Sequence, residues 1–329
     1  MDYKKSGVNI AAGEEVVDRI KPAVARTRTA GVMSEIGLFG GLFDARFPDY
    51  EHPVLVASTD GVGTKLKVAI MANQHKTIGQ CLVNHCVNDI LACGAKPLFF
   101  LDYFATGTLK PEVAADVIVG LAQACEENGC ALLGGETAEM PSMYAAGDYD
   151  VAGTVVGVVE KQRILNGTKV SVGDVLIGLP STGLHTNGYS LARAVLFPHY
   201  HVNDYVDSLG CTIADALLAV HRSYQKPVLP LLDKQLINGV SHITGGGIVG
   251  NTKRILQPGQ ALDIHWGTWD GLPIFDLIKS TGSVSDDAMR EAFNLGVGMI
   301  LVVSEHNVDT VLSALSNEQP FVVGRVVST

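Results

Sequence analysis

What this sequence has little of narrows its function first. No Lys/Arg run occurs in its 329 residues, and the formal net charge is −10. A nucleic-acid protein needs a basic excess on at least one face, so that class is excluded. No C-x-x-C pair is formed by Cys81, Cys86, Cys93, Cys125, Cys130 and Cys211. That argues against a zinc or dithiol redox centre, and their apolar neighbours mark most of them as small core residues. No stretch of ~18 apolar residues is present, and the opening MDYKKSGVNIAAGEE lacks an apolar signal core. A cytoplasmic protein with reduced thiols and no membrane partner is expected. The G-x-x-x-x-G-K-[ST] spacing of a P-loop is missing too, as are short repeats and low-complexity tracts.

What is present is the composition of a well-cored globular chain, 47% hydrophobic and 18% charged, with 36 glycines gathered into short clusters. Two domains are expected, at roughly 150 residues each as a prior. Both halves alternate strand-like and helix-like segments, which predicts an α/β chain divided into 1–165 and 166–329, with a linker within 160–173. In the first half strands are predicted over 54–59, 97–105, 131–133 and 151–159, and helices over 80–93 and 111–128. The second helix has Pro111 at its start and Gly129 just past its end, the usual asymmetry. The second half predicts strands over 175–179, 241–244, 261–266, 298–303 and 321–327, with helices between them.

Three segments of the first half could carry chemistry. Asp60-Gly61-Val62-Gly63-Thr64-Lys65 follows a buried strand. The carboxylate could hold a metal, Gly61 and Gly63 let backbone approach a polyphosphate, and Lys65 could neutralise phosphate charge. The other reading is a tight turn with a surface Asp and Lys. Asn84, Asn88 and Asp89 interrupt an apolar helical run and must find partners, for which a metal or substrate would serve. His85, four residues before Asp89, is expected as a satisfied structural or metal-supporting histidine. Gly134-Gly135-Glu136-Thr137-Ala138-Glu139 reads as a glycine-rich turn that could set one of its two glutamates on a metal with the other behind it, or simply carry ordinary loop acids. Hard oxygen ligands in Asp60, Asp89 and Glu136, without a His/Cys cluster, favour Mg²⁺ over zinc. With the glycines and a lysine they make the composition of an ATP·Mg site.

In the second half, Ser181–Ser190 joins a strand to a helix, where N–H groups and hydroxyls could meet a phosphate or simply cap the helix. His185 is the side chain there suited to proton transfer near neutral pH. Gly245, Gly246 and Gly247 follow a short strand and could bind phosphate through backbone. With Gly250 they also satisfy G-x-G-x-x-G, a dinucleotide fingerprint, though after an unusually short strand. The apolar arm Ile36–Phe43, broken by glycines, could fold over a ligand or pack on the surface.

Taken in order, DGVGTK (60–65), VND (87–89), FFLDY (99–103), GGETAEMP (134–141), YDVAG (149–153), HTNGYS (185–190) and TGGG (244–247) closely resemble the aminoimidazole ribonucleotide synthetase family, the phosphoribosylformylglycinamidine cyclo-ligases. The likeness runs nearly end to end, including Tyr3-Lys4 and Gly7-Val8. It implies a two-domain PurM-like fold, with the N-terminal domain pairing with a second copy into a shared barrel and a C-terminal α/β domain. It implies ATP-dependent closure of formylglycinamidine ribonucleotide through an iminophosphate to aminoimidazole ribonucleotide, in purine biosynthesis. On the resemblance, Asp60, Asp89 and Glu136 hold Mg²⁺, Lys65 and Lys21 meet ATP beside Gly61, Gly63, Thr64 and Gly135, and His185, Thr186 and Asn187 touch substrate, with Gly245–Gly247 on its ribose phosphate. Asp60, Lys65 and His185 are the catalytic candidates. Related synthetases and kinases of the superfamily stand as alternatives, as does a non-catalytic nucleotide-binding maturation factor. The selenium enzyme usually has a reactive Cys near its N-terminus, and this chain has none before Cys81.

Overall fold

A computed structural model describes residues 9–329 and resolves the chain into two units. The opening Tyr3-Lys4 and Gly7-Val8 lie outside the described residues. The first unit runs to Ile90 and resumes over Pro97–Glu160; the second holds Leu91–Lys96 and Lys161–Thr329. The second unit's claim on 91–96 has no linear signal. Leu91 is chosen by tertiary burial, since it sits in a core with Tyr224, Val228 and Leu301.

In chain order the first unit has α1 (Ile10–Arg26), β1 (Pro53–Gly61), α2 (Lys65–Ala72), α3 (Lys76–Ala92), β2 (Lys96–Thr106), α4 (Pro111–Glu127), β3 (Ala131–Glu139) and β4 (Tyr149–Glu160). Its sheet has the order β1-β4-β2-β3. β1 runs antiparallel to β4, and β2 parallel to β3 with α4 as the crossover. α3 and α4 meet at two glycines. A Cβ on Gly79 would lie 2.0 Å from the Val117 carbonyl oxygen, and one on Gly120 2.0 Å from that of Lys76. Only glycine permits so close a crossing.

The sheet's other face is less covered. Along β1 burial alternates, with Leu55, Ala57 and Thr59 exposed, and on β2 Leu101 and Tyr103 are exposed. A strand that alternates in this way has one face on a core and one outside. β3 is longer than its apolar start predicts. Gly134–Glu139, expected as a turn, stays extended because residues 101–106 of β2 supply its pairing partners.

The second unit has β5 (Val175–Pro180), α5 (Tyr189–Leu196), β6 (Tyr205–Val206), β7 (Cys211–Thr212), α6 (Ile213–Leu218), α7 (Gln225–Asp233), β8 (Gly239–His242), α8 (Gly247–Thr252), β9 (Gln260–Ile264), α9 (Pro273–Gly282), α10 (Asp286–Ala292), β10 (Val297–Val303), α11 (Val308–Ala314) and β11 (Phe321–Ser328). Five strands pair antiparallel in the order β8-β10-β5-β11-β9. Every residue of β10 is buried. Met299, Leu301 and Val303 enter one core with Ile177 and Leu179, while Ile300 and Val302 enter another with Leu176 and Val323. The period-2 alternation of one strand thus feeds two layers. The short pair β6–β7 escaped the sequence reading, because two-residue strands carry no periodicity.

Candidate active site

In the first unit Asp60 ends β1 and Asp89 lies on α3. His85, one helical turn before Asp89, is buried and joins them: its Nε2 is 3.2 Å from Asp60 Oδ2 and 3.9 Å from Asp89 Oδ2. The Ser58 hydroxyl donates to Asp89 Oδ2 at 2.9 Å, and the Gly61 N–H to Asp60 Oδ1 at 3.2 Å. Both carboxylates keep partial exposure, 40% and 28% of the side chain. Two oriented carboxylates with solvent access, held by a histidine and a hydroxyl, suit a hard cation. Cys86 beside them is no nucleophile, since burial, and then the charges of Asp60 and Asp89, push its thiol well above the ordinary range. The Asn84 side chain accepts from Asn128 Nδ2 at 2.8 Å, inside the protein.

Glu136 stands elsewhere. It is exposed on β3, at the sheet edge opposite β1, so three strand spacings, about 14 Å, separate it laterally from Asp60. The single ligand set Asp60–Asp89–Glu136 is therefore not assembled within this chain's sheet. Glu136 instead lines a groove of about 1040 Å³ walled by α1, the arm, β2 and β3. Lys21, Gly135 and Asp102 line it as well. Lys21 is exposed, with its Nζ 2.8 Å from Asp18 Oδ1. Glu139, the other acid of that segment, accepts from the N–H groups of Asn9 at 2.6 Å and Leu109 at 2.7 Å. It ties backbone together. The arm folds back on itself, with Met33 N–H bonded to the Leu42 carbonyl at 2.9 Å and Asp44 N–H to that of Gly31 at 2.8 Å. Its tip at Leu38 and Phe39 is left exposed on the groove wall.

Of the two readings of Lys65, a contact to the ATP phosphates and a surface lysine of a tight turn, the structure departs from the second. Lys65 opens α2 fully buried, with its Nζ donating to Cys81 Sγ at 3.1 Å. Gly63 has φ +55°, which turns the chain sharply enough to carry the following residues inward. Thr64 stands at the N-cap position of α2 without a side-chain capping bond. Asp102, in a quoted motif but given no role, is the residue sequence reasoning missed here. Half-buried on β2, it has a carboxyl raised by burial to about 7. A Cβ on Gly135 would lie 2.2 Å from its Oδ1, so this glycine makes room for that carboxyl as well as for a ligand.

In the second unit the loop after β5 lies against the loop after β8, as a Cβ on Gly245 would meet Asn187 Oδ1 at 3.3 Å. His185, expected at the substrate, is buried. At φ +61° its ring turns inward to 1% exposure, and its Nε2 accepts from the Thr182 N–H at 3.2 Å. In the glycine triplet, expected on the substrate's ribose phosphate, two N–H groups have partners within the chain. The Gly246 N–H donates to the Glu291 carbonyl at 3.0 Å and that of Gly247 to Thr244 at 3.1 Å. Those two donors are engaged internally. Gly246 and Gly247 have φ +95° and +64°, and a Cβ on Gly247 would lie 1.8 Å from the Arg290 carbonyl oxygen. Turn geometry and packing explain them. The dinucleotide fingerprint falls too, because β8 runs antiparallel to β10 and α8 is six residues long, whereas that motif needs a parallel βαβ unit.

Asn294, buried and unforeseen, clamps the first of these loops. It donates through Nδ2 to the Gly183 carbonyl at 2.9 Å and accepts the Ser181 hydroxyl at 3.0 Å. Two more unforeseen side chains, His221 and His242, lie behind His185 and Thr186. Their only sequence signal is an imidazole set in an apolar run.

Comparison with known proteins agrees with this geometry. The AIR synthase related protein family matches over both its N-terminal domain, at residues 44–159, and its C-terminal domain, at 171–329. The two units and their sheets place the chain in the class of two-domain, PurM-like α/β proteins. Thiamine-monophosphate kinase from Stenotrophomonas maltophilia K279a superposes with a TM-score of 0.69 at 15% identity, over 96% of this chain and 94% of that one. Hydrogenase maturation protein HypE in complex with ATP does so at 0.68 and 17%, over 98% and 88%. At such identities the likeness is one of fold. Within the class, the phosphoribosylformylglycinamidine cyclo-ligase of Myxococcus xanthus (strain DK1622) is 54% identical over 98% of this chain and 95% of its own. That of Alkaliphilus metalliredigens (strain QYMF) is 47% identical over 99% and 95%. The chain belongs to the phosphoribosylformylglycinamidine cyclo-ligase family.

Proposed function

We propose that this protein closes the imidazole ring of 5-aminoimidazole ribonucleotide from formylglycinamidine ribonucleotide, with ATP converted to ADP and phosphate, in purine biosynthesis. The observation that carries the reading is end-to-end identity of about half to cyclo-ligases, together with a groove of the right size holding Lys21 and Glu136. The formyl oxygen is a poor leaving group. Transfer of the γ-phosphoryl group to it gives an iminophosphate, the amidine-side nitrogen attacks that carbon, and the oxygen departs with phosphate as the ring closes. Such transfers are driven by positioning and by neutralising charge.

The α1–β2–β3 groove would hold ATP, with Lys21 and Glu136 beside the polar part of the nucleotide. Asp60 and Asp89, oriented by His85 and Ser58, would hold Mg²⁺, which neutralises phosphate charge when bound. The oxygen-only, partly exposed donor pair fits that ion. Buried Lys65 would act through its charge on the Asp60 loop and not by contact. Thr186 and Asn187 would face the substrate, with His185 behind them shaping the loop. No described helix is long and apolar enough to cross a membrane, in keeping with a cytoplasmic setting.

The test is ADP release by the purified protein with Mg·ATP, with and without formylglycinamidine ribonucleotide. Substrate-dependent ADP matched mole for mole by aminoimidazole ribonucleotide is expected. Absence of any stimulation would remove the reaction while leaving the fold.

The less covered sheet face further supports a homodimer. Leu55, 62% exposed, stands there with Leu101 and Tyr103, and apolar faces of this kind mark interaction sites. Light scattering is expected to give twice 34.8 kDa, and Leu55→Glu to shift the protein toward the monomer. A wild-type monomer at about 10 μM, within the usual range of weak association, would discard the dimer.

A further inference from the structure

The groove between α1, β2 and β3 is uneven in charge. Among the described residues Glu14, Asp18, Glu35, Asp102 and Glu136 line it, against the single cation Lys21, whose Nζ lies 2.8 Å from Asp18 Oδ1. Carboxylates attract metal ions and repel a bare polyphosphate. The protein's own grip on a nucleotide here therefore falls to the base. A base is a flat π-surface, and what holds it best is an aromatic ring.

One aromatic residue, Phe39, is among the described residues that line the groove. Its side chain is fully exposed, beside Leu38 at 62% exposure. A lone exposed apolar side chain is ordinary on a protein surface, but the build of the arm sets this one apart. The base of the arm is fixed. Phe43 packs on Phe99 with ring centroids 5.2 Å apart, buried Ser34 accepts the Leu42 N–H at 2.9 Å, and a Cβ on Gly41 would lie 2.4 Å from Leu133 Cγ. The tip is free by contrast. Gly37 has φ +104°, and a Cβ on Gly37 or Gly40 would meet nothing within 4 Å. A fixed base keeps Phe39 at the groove wall, and two unobstructed glycines let its ring turn.

We propose that Phe39 stacks on the purine ring of the bound nucleotide, with Gly37 and Gly40 as the turning points. This rests on the reading of the groove as the ATP site. Formylglycinamidine ribonucleotide has no aromatic ring and offers no such face. Every base does, so the stack demands a base without choosing adenine over guanine.

Binding of the non-hydrolysable analogue adenylyl imidodiphosphate with Mg²⁺, followed by calorimetry on the whole protein, tests this without turnover. Removing a stacking aromatic weakens base binding by about tenfold. Phe39→Ala is expected to raise the Kd of the analogue about tenfold, and Phe39→Tyr to stay within about threefold of wild type. The guanylyl analogue should lose as much as the adenylyl one in Phe39→Ala. Inorganic tripolyphosphate, which has no base, should bind equally to wild type and both variants. In turnover, KM for ATP rises in Phe39→Ala while KM for formylglycinamidine ribonucleotide does not. Since the ring is fully exposed, melting temperatures should match wild type. Phe39→Trp adds a direct signal, because Trp266 and Trp269, the two natural tryptophans, lie in the second unit. Its extra emission is expected to be quenched by the analogue and not by tripolyphosphate.

An equal loss of tripolyphosphate binding in Phe39→Ala would overturn the stack, as would emission in Phe39→Trp that answers to formylglycinamidine ribonucleotide and not to the analogue. Lys21→Ala separates this inference from the reading beneath it. Analogue binding weakened by Lys21→Ala but not by Phe39→Ala would refute the stack and keep the groove as the nucleotide site. Binding that neither substitution alters, or no binding at all, would remove the groove as that site and the proposal with it.

Discussion

Asp60→Asn is expected to lower ADP formation by about 10³-fold, with circular dichroism and melting temperature close to wild type. The side chain is 40% exposed and meets the His85 ring and its own neighbour's N–H. Removing its charge costs little packing. An amide keeps the shape of the carboxylate but contributes no formal charge, and a magnesium ion is held chiefly by that charge. The loss should therefore appear in turnover and in the Mg²⁺ dependence, whose midpoint is expected to move to higher concentration. His85 provides the internal comparison. It touches both carboxylates from a buried position, and groups that orient metal ligands typically affect metal affinity or activity by 10–100-fold. A wild-type Mg²⁺ midpoint in Asp60→Asn would withdraw Asp60 and, with it, the metal role of the pair.

The first of these residues was legible in sequence because a strand end, two glycines and a carboxylate share one short stretch. Secondary structure was legible for the same kind of reason: periodicity and the Pro111/Gly129 punctuation are local. What could not be read is what depends on the order of strands. Glu136 and Asp60 look alike in one dimension, each at a strand followed or preceded by glycines. The order β1-β4-β2-β3 then places them at opposite edges. The glycine triplet is ambiguous for another reason. Its composition suggests a phosphate loop, yet positive φ and a carbonyl at 1.8 Å from a Cβ on Gly247 require glycine with no ligand present. Charged and polar side chains usually lie at the surface, yet Lys65 and His185 are buried. The left-handed turns at Gly63 and at His185 itself carry them inward.

Asp102→Asn is expected to stabilise the protein above neutral pH and to leave it unchanged near pH 4. Burial raises this carboxyl from 3.8 to about 7 in the folded state, whereas an unfolded chain ionises near the ordinary value. Between those two values the folded state binds the extra proton, so stability falls as pH rises through the window and is constant above it. The sign is that of a raised acid: its favourable contribution is complete below about pH 4 and lost by about pH 7. A shift of that size corresponds to at most about 4 kcal/mol, and the partial exposure of Asp102 within the groove lowers the expectation to about 2 kcal/mol. That is several degrees in melting temperature at pH 8 for a unit of this size. The same carboxyl gives the groove a pH response. Protonated, it can donate to a nucleotide; ionised, it repels a polyphosphate. KM for ATP is expected to rise above pH 7 in the wild type and to stay flat in Asp102→Asn. Matching stability curves for the two proteins from pH 4 to 8 would mean that water in the groove solvates the carboxylate fully, and Asp102 would then have no part in reading the nucleotide's charge.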